Sequence, residues 1–171
     1  MKIATTLMTA ILLTVSLACT KQSDTSYKEG VQRALEQADL KGVSVSEDKD
    51  KNTITLSGKL HSDDAKQQAA QVAQTAAGSR VVANEISVEP VGRESDARQI
   101  NSNLDDAIEN NYKAALIAHG LDKQRIDYKA KNGLLTITGK VKTTQQRQQA
   151  EQIAQAVPNV AQVLNQIEVT R

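Results

Sequence analysis

Thr55-Leu56-Ser57-Gly58-Lys59 and Thr136-Ile137-Thr138-Gly139-Lys140 stand 81 residues apart, and that spacing organises nearly the whole chain. At the same offset Ala69 falls on Ala150, Ala73 on Ala154, Asn84 on Asn165, Ile86 on Ile167 and Val88 on Val169. Upstream the register persists through Leu35 with Leu116, Leu40 with Leu121 and Val45 with Ile126. A shared Gln- and Ala-rich helix imitates part of this by composition. It does not imitate the matched Gly, Asn and strand residues, so the pattern marks a duplicated domain.

Each copy reads as helix, hairpin, helix, strand. In the second, Ile100, Leu104, Ile108, Tyr112 and Leu116 recur every four residues, an amphipathic stripe that Gly120 ends. The first copy keeps a shorter version with Tyr27, Val31 and Leu35. Ile126, Tyr128 and Ala130 then alternate with charged residues as a half-buried strand. Asn132-Gly133 is a two-residue hairpin signal, because both central residues need positive φ. Leu135 and Ile137 return the apolar face, and Gly139, like Gly58 in the first copy, is read as the structural turn that ends it. Thr143 or Thr144 caps a helix carrying Ala150, Ile153 and Ala154, and Ser62 caps its counterpart. A last strand runs through Val163, Asn165, Ile167 and Val169, and beside the second hairpin strand it would lie parallel.

This α-β-β-α-β order, the Leu-x-Gly-Lys element in both copies and the late Asn84 and Asn165 resemble the BON domain, a family named after osmotically induced periplasmic and nodulation proteins. Where that family usually has a Gly-containing turn, the second copy has Val157-Pro158-Asn159-Val160 and the first keeps Gly78. The expected fold is therefore α+β: two tandem units, each with two helices packed on a three-stranded mixed sheet. The expected boundaries are a signal peptide over 1–18, a lipidated Cys and tether over 19–26, a first domain over 27–89, a linker over 90–95 and a second domain over 96–171.

Composition excludes more than it identifies. With 21 basic and 20 acidic residues the formal net charge is +1, which argues against a nucleic-acid binder. Three Tyr and no Phe or Trp leave little for base stacking. One Cys and two His rule out a disulfide framework and most zinc sites, and no cofactor motif is present.

The N-terminus reads as a secretory signal: Met1-Lys2, an apolar run to Ala18, then Ser16-Leu17-Ala18-Cys19. That boundary resembles a bacterial lipobox, which implies cleavage before Cys19 and lipid attachment to it. The resemblance, with Thr20 rather than Asp following, implies the periplasmic face of the outer membrane. The alternative is a soluble periplasmic protein. A tether of seven residues reaches about 25 Å at most, so whatever folds first sits near the lipid headgroups.

No catalytic residue emerges. His61-Ser62-Asp63-Asp64 holds the letters of a hydrolase triad, but adjacent residues cannot reproduce that geometry, and an N-cap with acids on the helix dipole is the simpler reading. His119 beside Gly120 reads as a helix end. Asp48-Lys49-Asp50-Lys51-Asn52 lacks the Gly and the Glu of a calcium loop. What the two copies do not share is more telling. The second copy carries Lys129, Lys131, Lys140 and Lys142, the first three on one outward hairpin face. It also replaces Glu36, Thr53 and Ala83 by Ile117, Leu134 and Leu164, larger apolar side chains at positions off the core. The expectation is an anionic-phospholipid or envelope-protein surface, set against a solvated face partly covered by the first unit.

Overall fold

The computed structural model describes residues 26–170; the expected signal peptide, Cys19 and the tether up to residue 25 lie outside them. The elements follow the alternation of helical and strand periods. The first unit comprises α1 (Tyr27–Gln37), β1 (Val43–Asp48), β2 (Thr53–Leu60), α2 (Asp63–Ala76), β3 (Val81–Asn84) and β4 (Ser87–Val88). The second comprises α3 (Glu94–Ala118), β5 (Arg125–Lys131), β6 (Leu134–Val141), α4 (Thr144–Gln155) and β7 (Gln162–Val169). β1 and β2 pair antiparallel, and β3 and β4 continue one another along the other side of β2, both parallel to it. β5-β6-β7 repeats the arrangement with β7 parallel to β6 over its whole length. The fold is α+β with two tandem units, and each third strand takes the expected parallel place.

Each unit has its own core. Val31, Leu35, Ile54, Leu56, Ala69, Ala73 and Ile86 bury one; Ile108, Tyr112, Leu116, Leu135, Ile137, Ala150, Ala154 and Ile167 bury the other. The helices start where the caps dictate. Ser62 accepts the Ala65 N–H at 3.2 Å, and Thr143 forms a capping box with Gln146. In the second core the Tyr112 hydroxyl donates to the Ala150 carbonyl at 3.2 Å, and its ring meets Tyr128 edge-on, with centroids 5.2 Å apart. Burial, with Tyr128 beside it, pushes the Tyr112 phenol well above its ordinary range. The corresponding first-unit positions are Val31 and Glu47. Glu47 instead takes the Ser26 hydroxyl at 2.9 Å and pairs with Arg80 at 3.2 Å. Burial pushes its carboxyl up. Ser26, the α1 amides of Lys28 and Tyr27, and Arg80 together more than reverse that, so it titrates below its usual value.

The turns use left-handed backbone where the residues allow it. Asn132 and Gly133 have φ of 50° and 82°, as their hairpin requires. Gly78 and its counterpart Asn159 have φ of 61° and 66°, Asn being the side chain that best tolerates this region.

Gly58 and Gly139 correct the sequence reading. They do not end the hairpin strand: β2 and β6 run two residues further, to Leu60 and Val141, and both ends are buried. The glycines sit inside the strands with φ of 116° and 115°, where a Cβ would collide with the carbonyl oxygens of Gly42 and Arg125. The conserved geometry in both units is thus a close backbone approach within the ladder. Gly139→Ala is expected to lower unfolding free energy by at least about 2 kcal/mol, read from the urea midpoint at unchanged slope.

Candidate functional site

The second hairpin's turn is held from two sides. On α3, the Asp105 carboxylate accepts the backbone N–H groups of Asn132 at 2.8 Å and Gly133 at 3.1 Å. From the first unit, Lys66 Nζ donates to the Asn132 carbonyl at 2.7 Å, and the Asn132 side-chain amide donates to the Glu85 carbonyl at 2.9 Å. Lys131 closes the grip with a 2.8 Å ion pair to Glu85. Burial pushes the Lys66 ammonium below its usual value, although Asp63 and Asp105 pull it back up.

Behind the turn the outer faces of the two sheets meet. Ala83, Leu134 and Leu164 form a buried cluster apart from both cores. Gln162 reaches from the start of β7 to the edge of β3, donating to the Val82 carbonyl at 2.6 Å and accepting the Asn84 N–H at 3.1 Å. Its amide replaces the peptide group of an adjoining strand. Gln166 donates to Thr53 Oγ1 at 3.4 Å. By the repeat, Thr53 and Ala83 are the counterparts of Leu134 and Leu164. The same corner of both units therefore meets itself, small residues from one copy against large ones from the other.

A third contact ties α3 to the first unit. The Glu89 carboxylate, buried, lies 2.8 Å from Arg98 and 3.3 Å from Lys59, and its carbonyl is 2.9 Å from His61 Nδ1. Burial pushes this carboxyl up, but hydrogen bonds from Lys59, Arg98 and Ser87 outweigh it and hold the group below its ordinary value. Two clefts of about 400 and 200 Å³ flank the seam and share Asp63, Lys66, Asn132 and Gly133.

The residues expected to form one outward surface separate. Leu134 and Leu164 are removed from the surface by the seam, 1% and 8% exposed, because the first unit's outer sheet face covers them. Lys131 is committed to Glu85. Lys129 pairs with Glu109 at 2.9 Å, which raises its basicity, and Lys140 pairs with Glu168 at 3.4 Å. Lys142 is exposed beyond the end of β6, and Ile117 is 56% exposed on α3. The four lysines do not make one free basic face. His119 caps the end of α3, and Asp48 accepts the Lys51 N–H at 3.0 Å across the first hairpin turn. Among the described residues no group of His, Cys, Asp or Glu is placed to hold a metal, and no helix is long and apolar enough to cross a membrane.

Sequence reasoning missed Lys66, Glu85, Asp105 and Gln162. Gln162 and Glu85 carried a signal, since the other copy has Val81 and Gln166 in their places. It also placed Ile100 and Leu104 on the core stripe, yet they are 54% and 39% exposed. A row spaced by four drifts about 40° per step on a helix of 3.6 residues per turn, so a five-residue row cannot face one core. Ile108, Tyr112 and Leu116 are buried, and the earlier pair swings out to solvent.

Comparison with known proteins follows the repeat. The BON domain family model matches residues 23–90 and 104–171. No curated protein matches. Two solved structures of CdsD, a structural protein of the type III secretion system of Chlamydia trachomatis, are similar in part. One, its C-terminal domain, has 14% identity and a TM-score of 0.34 over 84% of this chain and 67% of the other. The second has 9% identity and a TM-score of 0.37 over 83% and 91%.

Two outcomes follow from the seam. Leu164→Ala, the first copy's residue, is expected to cost about 2–3 kcal/mol in urea unfolding. For Glu89 the folded carboxyl titrates below its unfolded value of 4.5, so its contribution is complete above about pH 5 and is lost as pH falls through the lowered folded value. Glu89→Gln should therefore flatten the acid limb of stability against pH, measured by urea midpoints between about pH 3 and 7.

Proposed function

The chain belongs to the BON domain family, with two copies of the domain, and from that premise we propose that it is a non-enzymatic lipoprotein of the bacterial envelope. Cys19 anchors it to the periplasmic face of the outer membrane, and the paired domains contact phospholipid or envelope proteins to support envelope integrity or the stress response.

The observation that carries this reading is the early part of α3, where Ile100 and Leu104, about one helical turn apart, stand 54% and 39% exposed, although most large apolar side chains among the described residues are buried. Neighbouring exposed apolar side chains favour a contact surface, whereas Ile117, 56% exposed, stands apart from them on another side of the helix. The lysines support the reading less than their number implies. An anionic headgroup would have to displace Glu109 or Glu168 to reach Lys129 or Lys140, which leaves Lys142 and the exposed Arg125 beside Lys140 as the cations of this hairpin face outside those pairs. Each basic side chain near an anionic surface contributes about 1 kcal/mol, enough to orient an anchored domain and too little to hold a free one. A lipid on the thiol would supply the attachment itself.

Globomycin treatment tests the anchor: a heavier precursor accumulates if Cys19 is processed as a lipoprotein, and its absence favours the soluble periplasmic alternative. Vesicle flotation tests the surface. The two domains without Cys19 or the segment before it, residues 20–171, are expected to float with phosphatidylglycerol vesicles, and Ile100→Ser with Leu104→Ser to reduce the bound fraction several-fold. Charge reversal at Lys129, Lys140 and Lys142 should have the smaller effect. Flotation unchanged by the apolar pair removes α3 as the contact, and no flotation at all favours an envelope-protein partner over lipid.

A further inference from the structure

Peptide groups of β7 alternate between β6 and open space. Gln162 N–H donates to the Gly133 carbonyl and Thr170 N–H to the Val141 carbonyl, so even-numbered residues face β6. Val163, Asn165, Ile167 and Val169 turn theirs to the free edge. The first unit has the same parity, with Val81, Glu85 and Glu89 donating to the carbonyls of Asn52, Leu56 and Leu60. There the free edge is filled. Gln162 takes Val82 and Asn84, and the Ile86 N–H is held by its neighbour Asn84 Oδ1 at 3.2 Å.

β7 keeps only the last of these devices. Asn165 Oδ1 holds the Ile167 N–H at 3.1 Å, while no side chain among the described residues occupies the equivalent pair, the Val163 carbonyl and the Asn165 N–H, or the Val169 N–H. The first unit's third strand is broken into pieces of four and two residues, whereas β7 runs unbroken for eight and contains neither Pro nor Lys. Across the same sheet the β5 edge is guarded, Glu109 taking the Ala130 N–H at 2.9 Å. Natural sheets blunt exposed edges by such means, and an unblunted one is a template for another strand.

We propose that the free edge of β7 is a strand-pairing surface, and that the strand it takes is β7 of a second copy, running antiparallel about a two-fold axis. Two features of the strand select this occupant. Centred on Ile167, the pairing sets Glu168 opposite Gln166 and Val169 opposite Asn165, so the strand's one charged residue does not lie directly opposite its like, and Lys140 at 3.4 Å offsets its charge. The C-terminal part of the strand, Glu168 and Val169, is also exposed and lies away from the seam at Gln162. A two-fold contact needs only one self-complementary patch. The Asn165 side chain gives up the Ile167 N–H to the partner's carbonyl, and two three-stranded sheets become one of six. So short a pairing buries less than the roughly 1,200 Å² of stable complexes, so the dimer is weak and concentration-dependent.

Sedimentation velocity of the full-length chain in density-matched detergent, over a wide concentration range, tests this. Val169→Pro removes a free-edge N–H and leaves the β6 ladder intact by parity, so it should weaken self-association by roughly tenfold or more with an unchanged melting curve. Amide exchange supplies a second reading independent of any variant: Asn165 and Val169 should exchange more slowly as the chain is concentrated. A chain that stays monomeric throughout, or a dimer that Val169→Pro leaves as tight and whose Asn165 and Val169 amides gain no protection, overturns the proposal.

Discussion

Asp105 holding the two amides of the Asn132-Gly133 turn is the interaction on which the arrangement of the molecule rests. A left-handed two-residue turn directs its N–H groups outward, and a carboxylate placed there satisfies both with charge-assisted bonds. That fixes the turn against α3 and frees its remaining polar groups, the Asn132 carbonyl and side-chain amide, to point at Lys66 and Glu85 of the first unit. The hairpin turn of one domain thereby becomes the joint to the other.

Such a joint matters because each unit is small. A domain of about 60 residues buries only some 60% of the surface its unfolded chain exposes and is marginal alone. Here the two cores stay separate, and the seam adds a third, the Ala83, Leu134 and Leu164 cluster, which neither unit possesses by itself. The last residue of the first unit contributes too: Glu89 brings a buried carboxylate against Lys59 and Arg98, binding the start of α3 to the end of the first sheet. The result orients α3 so that its early residues, Ile100 and Leu104, face outward while Ile108, Tyr112 and Leu116 complete the second core.

Duplication left a record of which positions serve the fold and which serve the pairing. Asn84 and Asn165 do the same task in both units. Each side chain reaches a carbonyl of the neighbouring helix, Lys66 or Arg147, and each holds the amide two residues on. Gly58 and Gly139 likewise keep one backbone conformation. Among the positions that diverged, Thr53 against Leu134, Ala83 against Leu164 and Val81 against Gln162 lie in the seam or at its edge, where the two copies must differ to fit one another.

The choice of Thr143 over Thr144 and the parallel place of each third strand came from the structure, while the sequence by itself determined the duplicated α-β-β-α-β units, the hairpin turn at Asn132-Gly133 and the cap at Ser62. These depend on local periodicity, on backbone conformations few residues adopt, and on short-range hydrogen bonds. Even there Gly58 and Gly139 misled, since a positive-φ glycine within a ladder and one that ends it have the same local signature. Only the tertiary structure decided which outward residues remain outward. Alternation separates the two faces of a sheet but says nothing of a second domain lying against one of them, so Leu134 and Leu164 became seam while Ile117 stayed exposed. Nor does it show that Glu85, Glu109 and Glu168 stand beside three of the four lysines. Those neighbours come from distant parts of the chain, and a charge's surroundings are set by the packed fold and not by its place in a strand.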